Sequence, residues 1–145
     1  MRNVVILDIE TTGFSPVSGD KIIEIGAIKM LDDNVVGIFN TLINPRRDIP
    51  PKITELTGIT NEMVKKAPPA VDVVTTLIKF IGTDTVVTHN VSFDRAFLEH
   101  TFMSAGFKKR FEYFCTLNNA RKNLKNVPGY KLQILKYHFN LLEIG

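Results

Sequence analysis

The chain has 145 residues and a mass of 16.3 kDa, room for one domain able to bury roughly 70% of its unfolded surface. Its 44% hydrophobic and 23% charged residues exclude a disordered chain, and no window approaches the ~20 apolar residues of a membrane-spanning helix. The net charge of +3 is uneven: residues 1–106 carry ten Lys/Arg against thirteen Asp/Glu, and residues 107–145 carry eight against two. A basic end suits a polyanion partner through counterion release, and it equally suits a set of solvated helix faces. The lone Cys115 excludes an internal disulfide, and with three histidines it makes a poor zinc set. Met1-Arg2-Asn3 has no signal-peptide anatomy, so a cytoplasmic protein without membrane association is expected.

In chain order, the apolar run Val4 to Leu7 followed by alternation through Asp8-Ile9-Glu10 predicts a strand buried on both faces. Thr11-Thr12-Gly13 and residues 16–19 predict a loop. Lys21 to Leu31 and Val35 to Ile43, joined by Asp32-Asp33-Asn34, predict a β-hairpin. Pro50-Pro51 opens a short helix that Gly58 closes, and Thr60 can cap another turn. Val71, Val74, Ile78 and Ile81 mark a helix stopped by Gly82, and Asp84 to Thr88 reads as a second buried strand. Ser92 is the expected cap of a helix striped with Phe93, Phe97, Thr101 and Ala105 and ended by Gly106. Phe111 to Cys115 follows as a short strand. Leu117 to Lys122 and Tyr130 to Phe139 read as helices interrupted at Pro128-Gly129. The order predicts one three-layer α/β domain over 1–145 with a mixed sheet.

Asp8 and Glu10 are the sharpest chemical feature. Two apart in a strand, both carboxylates project to one face while Ile9 packs behind them. Paired like charges need a cation or a proton, so the spacing suits divalent-metal binding by oxygen ligands, or simply a wet strand end.

Asp8-Ile9-Glu10-Thr11-Thr12-Gly13 resembles the first motif of the DEDD superfamily of 3′–5′ exonucleases, in the branch of the proofreading epsilon subunit of bacterial DNA polymerase III. Thr88-His89-Asn90-Val91-Ser92-Phe93-Asp94 resembles the second motif. Leu56-Thr57-Gly58-Ile59-Thr60, with Ala67-Pro68, is similar to the connecting segment. The resemblance implies a ribonuclease H-like fold with a mixed five-stranded sheet. It also implies two divalent cations, Mg²⁺ or Mn²⁺, held by Asp8, Glu10 and Asp94 as the catalytic and metal-binding residues. Thr11, Thr12, Gly13, Thr57, His89, Asn90 and Phe93 are the implied substrate-binding residues, Phe93 being equally suited to core packing. The implied partners are a single-stranded DNA 3′ end, with RNA possible, and a DNA polymerase subunit.

His89 and Asp94 share the spacing of the family's third motif, His-x-x-x-x-Asp, which supplies the general base. Asn90 and Phe93 instead place both residues in the second motif, so the base is unassigned. His138 with Glu143 is a poor substitute, since the flanking residues do not match. The expectation is therefore a domain truncated in its C-terminal part and lacking its last helix, or a degenerate member acting as a nucleic-acid- or polymerase-binding module.

Overall fold

A computed structural model describes residues 3–139. Five strands form one sheet in the order β3-β2-β1-β4-β5, from β1 (Asn3–Thr11), β2 (Ile22–Leu31), β3 (Asn34–Leu42), β4 (Thr85–Thr88) and β5 (Tyr113–Cys115). β2 runs antiparallel to β1 and β3, and β4 runs parallel to β1 and β5. The hairpin turn is tighter than the sequence predicts. Asn34 pairs with Leu31, and Asp32 takes the left-handed conformation (φ 53°) that a two-residue turn demands.

The connections from β1 to β4 and from β4 to β5 are helical, as parallel pairing requires. The first holds α1 (Pro51–Thr57), α2 (Asn61–Lys65) and α3 (Ala70–Ile81), and the second holds α4 (Val91–Ser104). Gly58 closes α1 in the left-handed conformation, and Thr60 Oγ1 caps α2 by accepting from Met63 N. Both follow from the sequence. After β5 come α5 (Thr116–Asn123) and α6 (Leu132–His138). Expected Glu143 lies outside the described residues.

One sheet face supplies the core. Val5, Leu7, Ile9, Ile25, Ala27 and Val86 pack against Val73, Val74, Leu77 and Ile81 of α3 and Phe97, Leu98 and Phe102 of α4. A second cluster of Ile23, Ile49, Ile59 and Val64 seats α1 and α2. β1 departs from the expected burial on both faces: Val5, Leu7, Ile9 and Thr11 are buried, while Ile6 and Asp8 are exposed. The core thus clamps one face of β1 and leaves its carboxylates on the other.

Candidate active site

Three elements bring acids to the C-terminal ends of β1 and β4, where open α/β sheets place their ligands. β1 presents Asp8 opposite Gly26 and Glu10 opposite Glu24. Directly opposed residues share a face, so Glu24 of β2 joins the pair. Beyond Glu10 the register slips, Thr11 pairing with Ile22, which turns the chain into the next loop. From β4 the chain passes His89 and turns at Asn90, whose φ of 108° is rare for a residue other than glycine. Asn90, not Ser92, therefore occupies the N-cap of α4. That puts Asp94 in the first helical turn, 5% exposed, with its N–H bonded to the Asn90 carbonyl at 3.3 Å.

The four carboxylates hold one another's protons. Asp94 is pushed up from 3.8 to about 7, first by burial and next by the Asp8 charge; the Thr88 hydroxyl opposes this and Glu10 adds to it. Asp8 rises by desolvation, offset by its backbone contact with Ile9 and by His89. Glu10 rises by desolvation and then by the charges of Asp8 and Glu24. Glu24 rises by desolvation and Asp8. The ion pairs among the described residues lie elsewhere, at Lys29–Asp84, Arg47–Asp20 and Arg95–Glu99. Thr88 Oγ1, buried near Asp94, lacks a full hydrogen bond of its own.

This donor set fits a hard divalent cation in chemistry: oxygen ligands, excess negative charge and no competing ammonium. Among the described residues, no three Asp, Glu, His or Cys side chains stand close enough to grip one ion.

The implied substrate residues divide. Thr11 and Thr12 are buried and use their hydroxyls internally. Thr11 Oγ1 donates to the Gly13 carbonyl at 2.6 Å. Thr12 Oγ1 donates to Asp20 Oδ1 at 3.1 Å and accepts from Lys21 N at 3.0 Å. A Cβ at Gly13 would overlap the Asp20 carboxylate, so any larger residue there would push Asp20 off its hydrogen bonds to Thr12 and Ser15. Asp20 also accepts from Ser15 N and pairs with Arg47, making the whole turn a rigid rim. Phe93 is half-buried and packs on Phe97, ring centroids 4.9 Å apart. Both ring nitrogens of His89 bond within the protein, to Thr116 Oγ1 and to the Tyr130 carbonyl. Asn90 is exposed. Thr57 bonds locally in α1, donating to the Ile53 carbonyl.

Glu24 was not legible as a site residue. Its only sequence signal is an acid amid the apolar run Ile22-Ile23-Glu24-Ile25. Its pairing with Glu10 depends on hairpin register.

The sheet order and the acidic strand ends define an α/β domain of the ribonuclease H-like class. The family model described as "Exonuclease" matches residues 5–145, and the chain belongs to that exonuclease family. It is 39% identical over 137 residues to the PolC-type DNA polymerase III of Clostridium perfringens, covering 94% of this chain and 9% of that protein. It is 36% identical over 141 residues to the 3′–5′ exonuclease DinG of Bacillus subtilis, covering 97% and 15%. The epsilon subunit of DNA polymerase III from Rickettsia prowazekii is 41% identical over 149 residues, covering 97% and 64%. The chain thus spans a small part of its PolC-type and DinG relatives. A solved structure of exonuclease X with 5′-overhanging duplex DNA superposes with a TM-score of 0.77 at 27% identity, covering 97% of this chain and 75% of that one. Exonuclease I with bound product shares the fold, at a TM-score of 0.81 and 18% identity. The epsilon-like resemblance and the five-stranded fold expected from the motifs are both borne out.

Proposed function

We propose that this chain is the catalytic domain of a metal-dependent 3′–5′ exonuclease that releases nucleoside monophosphates from DNA ends. The observation that carries this reading is the convergence of Asp8, Glu10 and Asp94 at adjacent strand ends, each with a raised pKa and none in an ion pair among the described residues. Relatives described as a 3′–5′ exonuclease and as DNA polymerase III subunits support the polarity and the DNA substrate, with RNA a possible alternative. They also support a polymerase partner and a cytoplasmic setting.

In this reading Asp8, Glu10 and Asp94 would together hold the divalent cations, Mg²⁺ or Mn²⁺. When bound, such ions generate a nucleophilic water and stabilise the departing 3′ oxygen. The rim from Thr11 to Asp20 fixes the cleft wall against which the terminal nucleotide lies, and exposed Asn90 offers it a polar contact. Phe93 lines the same helix start. No described residue is assigned as the general base.

The unassigned general base favours a second reading, a nucleic-acid- or polymerase-binding module on the same fold. One assay separates the two: a 3′-tailed oligonucleotide incubated with the chain and Mg²⁺ or Mn²⁺, beside Asp8→Ala. Stepwise shortening abolished by the substitution establishes the enzyme. Binding without shortening at any protein concentration establishes the module.

A further inference from the structure

Between Thr116 and Lys131 the chain carries Arg121, Lys122, Lys125 and Lys131 and no acidic residue. All four are exposed, and none belongs to an ion pair found among the described residues. The path of this basic segment is set from the end of β4. His89, at the end of β4, spends both ring nitrogens on it: Nδ1 lies 2.8 Å from Thr116 Oγ1, and Nε2 lies 2.6 Å from the Tyr130 carbonyl oxygen. A carbonyl can only accept, so Nε2 carries a proton and donates it there.

The segment is braced further at both ends. Thr116 Oγ1 donates to the Thr88 carbonyl at 3.1 Å, and the Tyr130 hydroxyl donates to the Leu124 carbonyl at 3.2 Å. Cys115 Sγ accepts from Val91 N and Asn118 N, both at 3.4 Å, which joins the first turns of α4 and α5. One imidazole therefore ties the start and the end of a uniformly cationic stretch to the end of β4, which the parallel pairing of Ile6 with Val87 sets alongside Asp8.

We propose that His89 is a positioning residue: through Thr116 and Tyr130 it holds the Arg121–Lys125 stretch beside the carboxylates as a rail for the phosphates of a single-stranded nucleic acid. The identity of that ligand rests on the nuclease reading. A ring bonded at both nitrogens has no donor or acceptor left for the substrate, so this role replaces the direct contact implied by the sequence resemblance.

The test is binding of a fluorescent oligothymidylate to the whole chain in EDTA, followed by anisotropy across a salt series. His89→Ala is expected to weaken binding about 10-fold and to lower the log–log salt slope by about 2, the loss of roughly three phosphate contacts at ~0.7 each. Thr116→Val should do the same. His89→Gln, which keeps a donor for the Tyr130 carbonyl, should recover most of the loss. The surface triple variant Arg121→Ala/Lys122→Ala/Lys125→Ala should lower the slope equally alone and add nothing to His89→Ala. Additive losses, or an unchanged slope in either variant, overturn the proposal. If His89→Ala does not fold, Thr116→Val carries the same cycle. Since no cleavage is read, coupled binding by a catalytically silent chain would sink the nuclease reading alone. A chain that cuts without this coupling would sink the rail alone.

Discussion

Asp84 and Asp94 are both buried aspartates at opposite ends of the short strand β4, at 9% and 5% exposure, and the protein treats them in opposite ways. Asp84 faces Lys29, whose Nζ stands 3.2 Å from Oδ2 and also donates to the Phe80 carbonyl at 2.7 Å. That acid meets a cation from within the fold, an ion pair in which Oδ2 gains charge but no well-aligned hydrogen bond, and Lys29 ties β2 to the end of α3. Asp94 instead faces Asp8 and Glu10, and its pKa climbs to about 7. An acid with an ammonium partner stabilises a fold, whereas acids gathered without one destabilise it until something positive arrives. The difference sets Asp84 apart as a paired structural acid and Asp94 as the acid that the proposed site would use.

The contrast is broken most directly by exchanging charge for amide at each position. Asp94→Asn should cut exonuclease activity by on the order of 10³-fold, several kcal/mol of lost ligand and charge stabilisation. In EDTA its melting temperature should equal or exceed that of the wild type, because a repelled carboxylate is gone. Asp84→Asn should do the reverse. It strands the partly exposed Lys29 and costs about 1–3 kcal/mol, less than a fully buried pair would. Activity should be nearly retained in thermally intact protein. Equal melting losses in the two variants, measured by calorimetry, would remove the distinction.

A pH series sharpens the same point. The folded pKa of Asp94 lies above its unfolded value, so the folded state binds the proton more tightly between about 4 and about 7. The stabilisation this gives is fully present below the unfolded value and is lost as pH rises through the folded one. Metal-free stability should therefore fall over that window, by up to a few kcal/mol, and level off above it. Chemical denaturation at several pH values should show this slope in the wild type and a flatter one in Asp94→Asn. Identical slopes would show that Asp94 does not titrate as the site requires.

The smallest expected effect is at Asn90. Asn90→Gly relieves the left-handed strain (φ 108°) and should change stability by less than about 1 kcal/mol. Denaturant midpoints would detect a larger loss, which would mean that the Asn90 side chain supports the helix start by contacts beyond its backbone.

Much of this was legible without coordinates, for local reasons. The two-residue period of β1 aligned Asp8 with Glu10, the helical period of Val74, Ile78 and Ile81 located α3, and glycines marked the helix ends. Ser92 failed as the α4 cap because a preferred capping side chain was outcompeted by the turn at Asn90, a conformation propensity seldom assigns outside glycine. Phe93 could be given to core or substrate equally, and packing on Phe97 shows the core contact. Thr12 looked available to a substrate because a sequence cannot display Asp20 and Lys21 folding back onto it, and Thr11 because it cannot display that hydroxyl turned to the Gly13 carbonyl.

The sequence by itself determined the period of each element, the family motifs and the inventory of acids, since these depend on neighbours a few positions apart. Only tertiary structure decided which of the buried acids would meet a cation and which would meet other acids. Glu24 reached Glu10 through hairpin register, Lys29 reached Asp84 across fifty-odd residues of chain, and His89 turned from the cleft to hold Tyr130. Charges and hydrogen bonds act over a few ångströms regardless of separation along the chain, so the electrostatic character of each aspartate belongs to the fold.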